Sequence, residues 1–220
     1  MVVRSMVGSS VKRKEDPKLI TGAAKYTGDM KLPGMRHVIL VRSPYAHAKI
    51  LSIDTSAALE REGVIDVVLG KDLLEYYQRL TVAGGKNVQE QRSHYPLSID
   101  RVRHVGEAVA AVIAISPEIG MDAVDDVVVE WEELPVVADM LAAAEDDSPP
   151  IFDDMTGNVA DLFENKTDNV DAVFENAPHT VSQRMNSQRL AGVPMEGRAI
   201  IAAPDLVTGG VTLWSSTQAP

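Results

Sequence analysis

The amino-acid sequence predicts an α/β (α+β) domain followed by the first strands of a second, incomplete β-rich domain. Three β-rich runs between residues 37 and 70 precede a strand, a helix and another strand between residues 108 and 134. Beyond residue 178 only strand candidates follow, without a helix that could cover them. The 220 residues are 45% hydrophobic and 24% charged, a globular composition that excludes a disordered or coiled-coil chain.

The first part of the chain is predicted to begin with an irregular arm. Residues 8–34 combine glycine, proline and many charges, so this arm must lie on another part of the protein. The elements predicted after it are strands at residues 37–43 and 48–54, a short helix at 55–62 and a strand at 64–70.

The clearest signal is a strand–helix–strand unit in the middle of the chain. Continuous apolarity at residues 108–115 predicts a central strand that is covered on both faces. The serine–proline pair at 116–117 is typical of a helix N-cap and first helical residue, and a strand is predicted at 127–134. Residues 71–100 are polar and interrupted by glycine and proline, which predicts a long loop.

An acidic stretch separates this domain from the second region. Residues 141–178 have the composition of an extended linker. Strand candidates then occupy residues 179–190, 197–205 and 211–218, and the last two are joined by a turn at 208–210. Three strands without a covering layer cannot close a core, so this region is predicted to be the start of a domain whose remainder lies elsewhere.

Charge and cysteine content exclude several classes of partner. With 21 basic and 32 acidic residues the net charge is −11, a poor match for nucleic acid or an anionic membrane surface. Without cysteine the chain cannot form disulfides, thiolate zinc sites or iron–sulfur sites. The longest apolar run is far shorter than the roughly 20 residues that span a bilayer, and no signal peptide is visible. We therefore expect a cytoplasmic protein that is not membrane-spanning.

Standard catalytic and metal-binding motifs are absent from the sequence. It contains no G-x-S-x-G, no P-loop, no G-x-G-x-x-G and no H-E-x-x-H. The five histidines are scattered singly, and adjacent acids such as Glu132 and Glu133 would point to opposite faces of a strand. No catalytic residue and no metal ligand is therefore assigned.

Longer strings resemble a known family. Four of them occupy residues 7–30, 41–54, 101–114 and 128–137. These four strings resemble the N-terminal part of the molybdenum-binding large subunit of the xanthine dehydrogenase and aldehyde oxidase family, and the aerobic carbon monoxide dehydrogenase large chain most of all. The strings QRLAGVPMEGRAIIA (188–202) and LWSSTQAP (213–220) are similar to the opening strands of the family's first molybdopterin-binding domain.

The resemblance implies a domain order and a chemistry. The order is an N-terminal arm (1–19), an α/β-hammerhead domain (20–140), the acidic linker (141–178) and an incomplete molybdopterin-binding domain (179–220). The chemistry is that of an oxidoreductase acting on a small-molecule substrate at a molybdenum centre held by molybdopterin, in its cytosine dinucleotide form. The partners implied are the remaining molybdenum-binding chain, an FAD-binding medium subunit and a [2Fe-2S] small subunit, in an oligomeric complex.

The same resemblance implies three site residues. Gln218, in the S-T-Q stretch, is expected to bind the cofactor, because its amide would lie against the oxygen ligands of molybdenum. Glu196 and Arg198 are expected to form a buried ion pair near the cofactor, with structural support favoured over substrate contact. Gly197 replaces the proline that is usual in the family, which leaves the role of Glu196 open.

Two hypotheses about activity follow. The glycine-rich loop and the glutamate general base of the family lie downstream of its S-T-Q stretch, so we expect residues 1–220 alone to bind no cofactor and to be inactive. Activity would require docking to the remaining molybdenum-binding chain. The alternative is a non-catalytic scaffold or remnant that folds and oligomerises without a cofactor. The substrate, whether carbon monoxide, an aldehyde or a purine, stays open.

Overall fold

The computed structural model describes residues 7–77, 95–159 and 165–218, which fall into two compact units. The core unit is Met35–Thr180, and the hairpin unit combines Met1–Gly34 with Val181–Pro220. The helices are α1 (Asp16–Ile20), α2 (Ser56–Glu60), α3 (Pro117–Val124) and α4 (Val170–Glu175). The strands are β1 (His37–Arg42), β2 (Ala48–Asp54), β3 (Val64–Leu69), β4 (Arg101–Val102), β5 (Ala108–Ala114), β6 (Val128–Glu133), β7 (Ile200–Pro204) and β8 (Val211–Ser215).

Two three-stranded antiparallel sheets build the core unit. Their strand orders are β1-β5-β3 and β4-β2-β6. The predicted central position of the apolar strand is confirmed, because β5 lies between β1 and β3. Five of its seven residues are buried, as the continuous apolarity requires. The hydrophobic cluster draws residues from both sheets and from α2 and α3, so one core holds these elements together.

Helix α3 begins where the sequence predicts. The Ser116 hydroxyl accepts a hydrogen bond from the Ile119 N–H at 3.3 Å, and Pro117 occupies the first helical position. The helix packs on β1 and β5. A Cβ at Gly120 would lie 2.5 Å from Cγ1 of Ile39, so the absence of a side chain at Gly120 permits this close packing.

The acidic stretch is held on the core unit over part of its length. The guanidinium of Arg101 donates two hydrogen bonds to the Asp153 carboxylate, at 2.9 and 2.7 Å, and that of Arg103 lies 4.3 Å from the ring centroid of Phe152. The stretch also contains α4, which the linker composition does not predict. Its acidic composition predicts exposure but does not identify the two arginines that hold it.

The hairpin unit is a β-hairpin accompanied by the N-terminal arm. Strands β7 and β8 pair antiparallel from Ile200 opposite Ser215 to Pro204 opposite Val211, as predicted. The arm carries α1 and a 3-10 turn, Thr27–Asp29, neither of which is predicted. The strand predicted at residues 179–190 is wrong, because this segment contains no regular element and finds no pairing partner within the described residues.

Two further sequence expectations have different outcomes. Most of the loop predicted at residues 71–100 lies outside the described residues, since the structure describes only 71–77 and 95–100 of it. None of the helices in the described ranges combines the length and the hydropathy that a membrane-spanning helix requires. The domain boundaries at residues 20, 140 and 178 stay predictions.

Candidate functional site

An open groove lies beside the base of the hairpin, within the hairpin unit. Its volume is about 1460 Å³, and its walls are Thr27 and residues 192–194, 196–200 and 215–218. The three residues expected to form the site, Glu196, Arg198 and Gln218, all line it. The antiparallel pairing of β7 and β8 produces this arrangement, because it places the residue that follows β8 beside those that precede β7.

Ser216 closes the end of the hairpin through both its backbone and its side chain. Its N–H donates to the Ala199 carbonyl at 3.0 Å, and its hydroxyl oxygen accepts from the Ala199 N–H at 2.7 Å. The hydroxyl lies 2.9 Å from the Gly197 carbonyl, to which it donates. Residues 197–199 are therefore fixed beside residue 216. Ser216 was not predicted as a site residue, although it stands in the same S-T-Q stretch as Gln218.

Glu196 holds the arm instead of forming the expected ion pair. Its Oε1 accepts a hydrogen bond from the Thr27 N–H at 3.1 Å, at the start of the 3-10 turn. The expected pair with Arg198 is not formed, since no contact within 4.0 Å joins the two side chains, both of which the structure describes. The expected burial is also wrong, because Glu196 is half-buried and Arg198 is exposed. Thr27 lies 169 residues away in sequence, so no local pattern could have identified it.

Arg198 and Gln218 present donors at the same groove. Both side chains are exposed, and neither makes a side-chain hydrogen bond or ion pair within the residues that the structure describes. An arginine side chain carries five N–H donors and a glutamine amide two, so these two residues can bind a ligand that is anionic or rich in acceptors.

The far end of the hairpin is a hydrogen-bonded turn. The Asp205 carboxylate accepts from the Thr208 hydroxyl at 2.6 Å and from the Val207 N–H at 2.9 Å. These hydrogen bonds, that from the Thr208 hydroxyl first, lower the pKa of Asp205 below its usual value. Gly209 adopts φ +72° in this turn, a conformation that glycine adopts without steric cost.

No metal site competes with this groove among the described residues. No group of three or more histidine, cysteine, aspartate or glutamate side chains in those ranges could hold an ion. His47 is buried, and its Nδ1 lies 2.7 Å from the Pro135 carbonyl, while Glu107 accepts hydrogen bonds from Ser98 and Arg103. These polar groups lie in the core unit and contact its loops.

Comparison with known protein families identifies the two regions. Residues 21–135 match the model "Aldehyde oxidase and xanthine dehydrogenase, a/b hammerhead domain", and residues 151–220 match "Molybdopterin cofactor-binding domain". The chain belongs to the aldehyde oxidase and xanthine dehydrogenase family. The resemblance read from the sequence strings is thereby confirmed, and so are the hammerhead fold and the partial molybdopterin-binding domain.

Relatives within this family are much longer than the chain. The nicotine 6-hydroxylase large subunit of Paenarthrobacter nicotinovorans is 36% identical over 219 residues, which are 100% of this chain and 27% of that protein. The carbon monoxide dehydrogenase large chain of Hydrogenophaga pseudoflava is 34% identical, over 94% of this chain and 27% of that protein. The chain therefore spans about a quarter of the length of these curated relatives.

Solved structures of the family share the fold. Quinoline 2-oxidoreductase from Pseudomonas putida 86 superposes with a TM-score of 0.83 at 35% identity, covering 96% of this chain and 27% of that one. The Cu,Mo-CO dehydrogenase superposes with a TM-score of 0.80 at 32% identity, covering 97% of this chain and 28% of that one.

The groove residues fit the cofactor that the family implies. The groove is open and has a volume of about 1460 Å³, so a ligand larger than those of ordinary pockets of roughly 300–1,000 Å³ can enter it. The Arg198 guanidinium and the Gln218 amide carry N–H donors at the groove, and the phosphate and ring acceptors of a molybdopterin cofactor could accept hydrogen bonds from them. Glu196 also lines the groove, but its carboxylate already accepts the Thr27 N–H.

Proposed function

We propose that the chain is part of the large subunit of a molybdenum hydroxylase that oxidises a small substrate at a molybdopterin centre. One observation carries the proposal: apart from Thr27, all the residues that line the groove, including Arg198 and Gln218, are matched by the molybdopterin-binding model. The large-subunit relatives and the quinoline 2-oxidoreductase structure support the same class of reaction.

In this proposal, different residues of the chain have different roles in binding the cofactor. The Gln218 amide donates to an acceptor atom of the cofactor, and Arg198 pairs with one of its anionic groups. Glu196 fixes the arm, so that Thr27 stays at the groove wall. The bound cofactor, in its cytosine dinucleotide form, supplies the two-electron redox chemistry of the hydroxylation.

Partner subunits complete the proposed enzyme. Because the 220 residues contain no cysteine, they cannot ligate iron–sulfur clusters. The relatives are named as a large subunit and a large chain, which supports placing the [2Fe-2S] clusters and FAD on a small and a medium subunit. The hairpin unit also exposes apolar side chains, including Leu206 and Val207, which suit contact with the remaining molybdenum-binding chain.

Elemental and flavin analysis of the protein purified from its native cells tests the proposal. Molybdenum, iron and FAD are measured against protein in the size-exclusion peak. We expect all three to co-elute with the chain and its partner subunits. A peak that contains the chain without molybdenum would overturn the proposal and favour the non-catalytic scaffold.

A Gln218→Ala variant tests the assignment of the site. We expect turnover by the complex to fall about 10-fold or more, with unchanged thermal unfolding, because the exposed amide contributes to binding and not to packing. The matched control is Gln183→Ala, which removes an exposed amide outside the groove. Equal turnover in the two variants would remove Gln218 from the site.

A further inference from the structure

Ser216 adds side-chain hydrogen bonds to its backbone hydrogen bond, one residue beyond the last paired residue of β8. The last paired residues are Ile200 and Ser215. One step further, the Ala199 N–H donates to the Ser216 hydroxyl oxygen at 2.7 Å instead of to a carbonyl. The same hydroxyl donates toward the Gly197 carbonyl at 2.9 Å, with the Ala199 carbonyl at 3.2 Å as a second acceptor, so it acts as acceptor and donor together.

The two peptide groups that Ser216 holds lie on either side of Arg198. The Gly197 carbonyl precedes this residue and the Ala199 N–H follows it. The backbone N–H of Ser216 also donates to the Ala199 carbonyl at 3.0 Å, which fixes the backbone two residues before Gln218. One serine thus anchors the backbone on both sides of Arg198 and two residues before Gln218.

We propose that Ser216 is a positioning residue that orients Arg198 and Gln218 toward the ligand of the groove, an inference that rests on the proposed function. Among the described residues, neither of these exposed side chains has a hydrogen-bond or ion-pair partner that would fix its direction. Their placement therefore depends on the backbone beneath them. Binding groups that are held in place before the ligand arrives lose less conformational entropy on binding.

Ser216→Ala removes the hydroxyl, whereas Ser216→Thr keeps it. Loss of the hydroxyl leaves the Gly197 carbonyl and the Ala199 N–H without their side-chain partner. The matched control is Thr212→Val, which removes a hydroxyl from an exposed position of β8 outside the groove. All three variants are prepared in the complex purified from native cells.

Two readouts separate the inference from the proposed function. Hydrogen exchange followed by mass spectrometry reports on peptides that contain residues 197–199 and 216–218, and elemental analysis reports molybdenum retained after gel filtration. We expect Ser216→Ala to exchange faster in both peptides and to bind the cofactor about 10-fold more weakly. Ser216→Thr should restore both readouts, and Thr212→Val should match the wild type.

Each contrary outcome has its own meaning. Faster exchange in Ser216→Ala with wild-type molybdenum content would overturn the positioning role and leave the proposed function standing. Unchanged exchange would overturn it as well, because the hydroxyl would then not hold the backbone. Failure of threonine to restore the cofactor would also contradict the inference. Wild-type protein without molybdenum would overturn the proposed function and this inference together.

Discussion

The core unit and the hairpin unit bury their apolar side chains to very different extents. In the core unit, Val102, Val109 and Val112 are completely buried. In the described part of the hairpin unit, the one buried hydrophobic residue is Ile201, whereas many large apolar side chains are more than half exposed. These include Val181, Met195, Leu206, Val207 and Leu213.

This difference shows that the two units are stabilised by different interactions. Apolar burial is the dominant favourable contribution to folding, and it supports the sheets of the core unit. The hairpin unit depends more on individual hydrogen bonds, such as those of Ser216, Glu196 and Asp205. The core unit should therefore respond most strongly to substitutions of buried residues, and the hairpin unit to the loss of single polar groups.

A charge placed among the buried apolar residues of the core unit should give the largest loss in the free energy of unfolding. Val112→Asp puts an unpaired carboxylate at a position with 0% exposure, and we expect a loss of about 4 kcal/mol in the free energy of unfolding. Trp131 belongs to the core unit and packs on Tyr45, so its fluorescence can follow denaturant unfolding in a Trp214→Phe background.

Substitution of an exposed apolar residue by aspartate tests whether burial causes the loss of stability in Val112→Asp. Val128→Asp changes an exposed position of the core unit and Leu213→Asp an exposed position of the hairpin unit, with exposures of 59% and 60%. We expect both to cost less than about 1 kcal/mol. A cost for Leu213→Asp equal to that for Val112→Asp would contradict the contrast between the units.

Truncation of a buried carboxylate in the core unit should have the next largest effect. Glu107 is 8% exposed and accepts from the Ser98 hydroxyl at 2.7 Å and from the Arg103 N–H at 2.5 Å. Glu107→Ala leaves both donors without this partner, so we expect a loss of about 2 kcal/mol on chemical denaturation. Glu133→Ala, at an exposed position, is the control and should be nearly neutral. Equal losses would show that burial of the carboxylate is not the cause.

The strands of the core unit could be predicted because their hydrophobic patterns are local. The apolar run of β5 indicates burial on both faces, and Ser116 with Pro117 marks the start of α3. The segment at residues 179–190 has a similar strand pattern but forms no strand. A strand also needs a neighbour with free backbone groups, and the sequence of one segment does not say where that neighbour lies.

The site was predictable as a set of residues but not as a geometry. The resemblance identified Gln218, Glu196 and Arg198, and all three line the groove. The partner of Glu196 could not be predicted, because the N–H of Thr27 approaches only once the arm has folded onto the hairpin unit. Ser216 was missed because a serine hydroxyl shows its hydrogen-bonding role only when strand pairing places it beside two peptide groups.

Loss of the contact between Glu196 and the arm should have a smaller effect, confined to the hairpin unit. Glu196→Ala removes the acceptor of the Thr27 N–H, and we expect hydrogen exchange at Thr27 to accelerate by about five-fold, corresponding to about 1 kcal/mol. Glu196→Gln keeps a carbonyl oxygen and should retain most of the protection. Met195→Ala changes a neighbouring residue that is 92% exposed and serves as the control. Unchanged exchange in Glu196→Ala would show that the contact does not hold the arm.

The smallest expected effect concerns the pKa values of two aspartates, one in each unit. The hydrogen bonds from Arg101 lower the pKa of Asp153 in the core unit, and the hydroxyl of Thr208 lowers that of Asp205 in the hairpin unit. Since both values lie below the unfolded value of about 3.9, each contribution to stability is complete above that pH. Each is lost as the pH falls through the folded-state pKa.

Asp153 pairs with a charged arginine, whereas Asp205 pairs with neutral groups. Added salt should therefore change the two pKa values by different amounts. Carbon-13 NMR of the side-chain carboxyls, measured in 0.05 M and 1 M NaCl, follows each pKa directly. Salt screens the attraction between Arg101 and Asp153, so we expect the pKa of Asp153 to rise toward its usual value. The pKa of Asp205 should change little, because its partners are neutral. Equal salt shifts would mean that the hairpin turn is also held by charge, which would remove this electrostatic difference between the units.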